Sequence, residues 1–226
     1  MKNLMMSNLF SIFDPQTSMN TALNWMSLLI SFFILPKNLW FKQNKMFTLF
    51  KIIFMFLFNE LNKLLKKQNH NNIIFFMVTF FFLISMNFIG LFPYIFTPSS
   101  HLSITLPLSL SLWTSFMFFG WMKKTNLMFA HLVPLGTPTM LMPFMVLIES
   151  ISNFIRPGTL AIRLSANMIA GHLLLCLLGS TGSKLTFFIL IILIITQILL
   201  FSLEMAVSII QSYVFMTLSS LYSNEN

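Results

Sequence analysis

The sequence predicts an all-α polytopic membrane protein, and three observations carry that reading. Hydrophobic residues make up 57% of the 226 positions. Only 8% are charged, with a mean hydropathy of +0.84. The apolar residues also fall into runs of roughly twenty or more, enough to cross about 30 Å of hydrocarbon at about 1.5 Å per helical residue. A soluble domain is excluded because its surface needs about a quarter of its residues charged. A transmembrane barrel needs alternating segments of about ten residues, whereas Ile73 to Phe92 is apolar all round. The expected order is one N-terminal transmembrane helix, an interfacial amphipathic helix, a transmembrane hairpin, then two long, steeply tilted membrane helices that form a second hairpin.

Each element has its own justification. The N-terminal segment, 1–21, carries the turn-forming Asp14-Pro15, and the first span, 22–35, is stopped by Pro36. Over 46–67 apolar residues at helical spacing are interrupted by Lys51, Asn59, Glu60 and Lys63, the pattern of a helix lying on the membrane surface. The second span, 73–92, ends at Pro93, and Thr97-Pro98-Ser99-Ser100-His101 turns the chain into the third, 102–121, which stops at Lys123-Lys124. A stretch bearing Pro and Gly, Pro134 to Pro143, leads into a fourth segment, 140–178, with a natural bend at Pro157-Gly158. Gly179 to Ser183 separates it from the fifth, 185–221. Close to forty helical residues measure about 60 Å, twice the hydrocarbon thickness, so both must tilt or break. No internal repeat or soluble domain interrupts the chain, which reads as a single membrane domain over 1–226.

The net charge of +8 describes topology rather than a nucleic-acid surface. Seven of the eleven lysines lie between Lys37 and Lys67, directly after one apolar segment and before the next. Clustered bases after a span hold a loop on the cytoplasmic or matrix side, and Lys123-Lys124 then falls on the same side. Cys176, alone in an apolar run, excludes disulfides and cysteine metal sites. No cleavable signal or arginine-rich presequence opens the chain, whose first arginine is Arg156. Met 18 and Phe 28 beside Gly 7 is the usage of an AT-biased organellar genome, which points to mitochondrial encoding.

Chemistry is expected where charge meets bilayer depth, at a cost of about 2.5–3.5 kcal/mol or more per group. Glu149, Arg156 and Arg163 recur every seven residues on one helical stripe, extended by Asn153, Asn167 and Gly171. Gln197, Glu204 and Gln211 recur at the same interval in the last segment. Two polar stripes on neighbouring helices imply a polar or hydrated seam, or simply side-chain glue between helices. Arg163 stays charged at physiological pH and has no acid within one turn in sequence, so its balancing charge must come from outside the helix. Arg156, nearer the start of its segment, can snorkel to the headgroups. His172 sits nine residues past Arg163, about 13 Å further along and on the opposite face, either as a hydrogen-bonded core residue or as a proton relay.

The run Arg163-Leu164-Ser165-Ala166-Asn167-Met168-Ile169-Ala170-Gly171-His172-Leu173-Leu174 resembles the ATP synthase subunit a family in its mitochondrial form. So do Phe13-Asp14-Pro15, Asn87-Phe88-Ile89-Gly90-Leu91-Phe92-Pro93 and Ile210-Gln211-Ser212-Tyr213-Val214-Phe215, and the likeness spans essentially the whole chain. The resemblance implies a proton-translocating stator subunit of the Fo sector whose long hairpin faces a ring of c subunits (the c-ring). Arg163 would be the essential arginine that attracts the ring carboxylate and blocks a leak between two offset half-channels. His172 and Glu204 would line the channel from the intermembrane space, Glu149 would belong to the matrix exit, and Asn167 and Gln211 would flank the arginine. Pairing Arg163 with Gln211 and His172 with Glu204 fits one antiparallel register, in which opposed residue numbers have a constant sum. The implied partners are the c-ring, subunit b and other Fo stator subunits, subunit 8 and the lipid bilayer. The implied location is the mitochondrial inner membrane, with the N-terminus in the intermembrane space and the 37–67 loop and C-terminus in the matrix. No cofactor is expected, and Arg156 is left without a role.

Two other readings remain open. A secondary transporter or channel would use Arg163 to bind an anionic substrate and would carry an inverted repeat. A purely structural subunit of a respiratory complex would tolerate neutral polar residues at Arg163, His172 and Glu204. The chain has no phosphate loop, no His-Glu metal motif and no nucleophile with a base, so nucleotide chemistry would reside in partner subunits.

Overall fold

A computed structural model describes residues 9–17, 21–33, 44–65, 70, 72–92, 95–123, 125–133, 138–182 and 186–225. Pro36, Lys37, Lys42, Lys66, Lys67, Pro93, Lys124, Pro134, Ser183 and Leu185, which frame several of the expected boundaries, lie outside them. All regular structure among the described residues is helical, as expected. A 3-10 turn at Leu23–Met26 leads into α1, Ser27–Phe33. The others are α2, Lys45–Leu64; α3, Ile73–Leu91; α4, Leu102–Lys123; α5, Thr125–His131; α6, Met142–Thr181; and α7, Phe187–Glu225. Further 3-10 turns lie at Leu9–Phe13, Pro98–Ser100 and Thr139–Leu141. Four helices, α3, α4, α6 and α7, are long and apolar enough to cross a membrane, which makes the chain a multi-pass membrane protein.

Local sequence explains these elements. In α3 only Thr79, Ser85 and Asn87 are polar, and the two hydroxyls are satisfied by carbonyls one turn back, Phe76 at 2.9 Å and Phe82 at 2.9 Å. Pro107 inside α4 and Pro157 inside α6 each remove one backbone donor, yet both helices continue through them. Helix α6 runs for 40 residues and α7 for 39, about 60 Å each, so a membrane-embedded hairpin of this length must lie steeply tilted.

Helix α3 is the central post. It packs mainly on α7 and also touches α1 and α2, while α4 packs on α6. Leu57, Leu61 and Leu65 of the α2 region meet Ile73, Phe76, Met77, Phe80 and Phe81 of α3 and Met216 of α7 in one apolar cluster. A second joins Leu83, Leu112, Leu160, Leu164 and Phe215, fastening α3 and α4 to both long helices. The α6–α7 hairpin is thereby backed on one side only. From Phe187 to Leu203 no described residue of α7 is buried.

Candidate functional site: the polar seam of the long hairpin

Three contacts define the register of the hairpin. The Gln211 amide Nε2 donates to the Arg163 carbonyl at 3.3 Å. The backbone of Gly171 faces the Glu204 carboxyl so closely that a Cβ there would lie 2.7 Å from Oε1. A Cβ on Gly179 would lie 3.8 Å from Gln197 Nε2. Numbers rise along α6 as they fall along α7, so the polar stripe of α7 lies against the backbone of α6 over more than ten residues of each helix.

Within the seam, Glu204 (8% exposed) and Gln211 (5%) are buried. Both Glu204 carboxylate oxygens, Gln211 Oε1 and His172 Nε2 have no hydrogen-bond partner among the described residues. Unpaired polar atoms at bilayer depth each cost several kcal/mol unless water reaches them, about 1–3 kcal/mol even in a soluble core. These atoms call for water or a partner chain. Phe13, from the N-terminal 3-10 turn, places its ring edge on to the His172 imidazole with centroids 6.4 Å apart. Its carbonyl is 3.0 Å from His101 Nε2, which ties the N-terminal segment to the start of α4.

Arg163 and Asn167 differ from these groups in that both lie on the exposed face of α6. Arg163 has no carboxylate partner among the described residues. Eight residues further, about 12 Å along α6, is the Glu204 notch at Gly171; Glu149 lies about 21 Å the other way. Glu149 is ion-paired with Arg156 at 3.6 Å. The structure thus groups His172, Gly171 and Glu204 at one level and Gln211 with Arg163 at the next. Glu149 is held apart from both, beside Arg156.

Two features escape a reading of the sequence alone. Gly171 is the notch that admits the Glu204 side chain; a helical glycine, costing about 1 kcal/mol against alanine, is the one available signal. Asn87 of α3 is fully buried with neither amide atom paired among the described residues, which a motif match cannot disclose. No group of His, Cys, Asp and Glu suited to a metal ion occurs among the described residues.

Comparison with known proteins places the chain in a family. A family model described as ATP synthase A chain matches residues 5–224. Proteins named ATP synthase subunit a from Anopheles gambiae and Aedes aegypti are 54% and 55% identical over 224 residues, covering 98% of this chain and 99% of each relative. The Drosophila melanogaster protein of the same name is 52% identical over 222 residues, with the same coverage. A helical membrane protein with an exposed arginine between two separated carboxylates, matched over nearly its whole length by these relatives, belongs to the ATP synthase A chain family, the proton-channel stator of the Fo sector.

Proposed function

We propose that the chain is the non-catalytic proton-conducting subunit of a mitochondrial inner-membrane ATP synthase, and that its α6–α7 hairpin rides against a ring of c subunits. Two offset half-channels load and unload the ring carboxylates. In the direction of synthesis, a proton enters from the intermembrane space through the hydrated seam at His172 and Glu204 and neutralises a ring carboxylate. Near a full rotation later, that carboxylate reaches the Glu149 side and releases its proton to the matrix. The deprotonated carboxylate then passes Arg163, whose fixed positive charge stabilises it in hydrocarbon and bars a proton from crossing directly between the half-channels. Asn167 and Gln211 flank the arginine. ATP chemistry resides in other subunits, and subunit b, the remaining stator subunits and subunit 8 hold the chain against rotation.

The observation that carries this reading is the position of Arg163. It is exposed on α6, with no carboxylate partner among the described residues. The acids of the two half-channels lie on either side of it along α6. A charge presented to lipid costs about 2.5–3.5 kcal/mol or more, so a partner carboxylate is what that surface calls for. Each proton crossing 100 mV of membrane potential supplies about 2.3 kcal/mol, which an unguarded water path would dissipate.

The test is ATP-driven proton pumping by the assembled complex in sealed vesicles, native chain against Arg163→Gln, with assembly confirmed on native gels. Pumping is expected to disappear while assembly survives. Persistent pumping would reduce Arg163 to a structural residue and overturn the mechanism.

A further inference from the structure

Arg156 has no part in the mechanism above, yet it is a second permanent cation on the same helix. Its guanidinium Nη2 is 3.6 Å from Glu149 Oε1, with both side chains about one-third exposed. The two residues are seven apart, about 10 Å of helix rise, so both side chains must extend along the axis to meet. On its other side the Arg156 guanidinium lies over the Tyr222 ring, 5.5 Å from the centroid, and Tyr222 belongs to the last turns of α7. Pro157, the next residue, is buried against the bundle, which fixes the backbone from which Arg156 departs. One guanidinium thus bridges the carboxylate of the first turns of α6 and an aromatic ring near the end of α7.

We infer that Arg156 is a positioning residue for matrix-side proton release: it holds the Glu149 carboxylate as an oriented ion pair. The inference rests on the proposed role of Glu149. Its physical content is twofold. A cation 3.6 Å from Glu149 fixes where that carboxyl group points, so that it faces an arriving ring proton in one orientation. Pairing also neutralises Arg156, so that among the two arginines of the hairpin only Arg163 is left to attract the ring carboxylate. An arginine that merely snorkels to headgroups would not need a carboxylate two turns back or a ring on the opposite helix.

The experiment uses the assembled complex in sealed vesicles with Arg156→Gln, Arg156→Lys and Arg156→Met, beside Glu149→Gln. Two readouts are taken: the ATP-driven pumping rate, and labelling of Glu149 by a membrane-soluble carbodiimide, which an ion-paired carboxyl group resists, quantified on the peptide that carries it. Arg156→Gln and Arg156→Met are expected to slow pumping roughly fivefold or more and to raise Glu149 labelling by a similar factor, whereas Arg156→Lys restores most of both. Native labelling in Arg156→Met would overturn the inference, since the charge would then not act on Glu149. So would Arg156→Lys behaving like Arg156→Met, which would leave only guanidinium packing. If Glu149→Gln pumps at the native rate, the exit role of Glu149 itself fails. If it is impaired while the Arg156 variants pump and label as the native chain does, only the present inference fails.

Discussion

At the scale of single residues, the seam depends on the absence of a side chain as much as on the presence of charged ones. Gly171 carries no Cβ, and the Glu204 carboxyl occupies the space a Cβ would need, 2.7 Å from its ideal position. Because the atoms in the way are the far end of a flexible side chain, Gly171→Ala is expected to shift the carboxyl from the level of His172. Alanine would otherwise favour the helix by about 1 kcal/mol, so assembly should hold while pumping falls by roughly tenfold, a transport defect without a stability defect. Measuring both on the same preparation checks the sign. A chain that pumps normally would show that Glu204 does not need this site. The sequence made Glu204 and His172 visible, because charge inside an apolar run is rare. The expected register set Glu204 near that level but did not show that the missing Cβ of the neighbouring glycine admits the carboxyl, because that depends on how closely the two helices approach.

At the scale of elements, the amphipathic helix is tied to the long hairpin by polar contacts at its far end. Tyr213 Oη donates to Glu60 Oε2 at 3.2 Å, and Asn224 Nδ2 donates to the Leu64 carbonyl at 2.6 Å. Glu60 is thus more than one of the polar residues that mark α2 as interfacial: it anchors α2 to α7. Tyr213→Phe removes one charge-assisted hydrogen bond and leaves the ring packed, so the expected loss is about 1 kcal/mol or less for an exposed pair. It should appear as faster limited proteolysis between α1 and α2 without a change in pumping rate. Equal proteolysis rates would show that the apolar cluster of Leu57, Leu61, Phe76 and Met216 alone holds α2 in place. The existence and type of α2, α3, α4, α6 and α7 were legible in the chain from run length and periodicity. Continuity through Pro157 was not, because a sequence shows the missing donor but not the packing that keeps the helix intact around it.

At the scale of the whole molecule, one face of the hairpin is backed by α3 and α4 and the other is left to the surroundings. Arg163 and Asn167 lie exposed on α6, and α7 carries a run of exposed Ile and Leu side chains between Phe187 and Leu203. The orientation proposed for the chain gives a separate prediction. On a background in which Cys176 is replaced by Ser, a cysteine introduced as Asn44→Cys, just before α2, should react with an impermeant maleimide in inside-out vesicles and not in right-side-out mitoplasts. Labelling in mitoplasts alone would invert the topology and exchange the sides assigned to Glu149 and Glu204.

What the sequence determined by itself was the solvent and the inventory: lipid, from composition; helices, from run length; and the few charged groups that function must account for, because each is costly at depth. Tertiary structure decided which of those groups meet. It set Gln211 on the Arg163 carbonyl, Glu204 in the Gly171 notch and Arg156 between Glu149 and Tyr222. The physical reason is that hydrophobic burial depends on amount and periodicity, which a one-dimensional pattern records. Polar coupling depends on the distance between side chains on different helices, and only packing the helices together sets that distance.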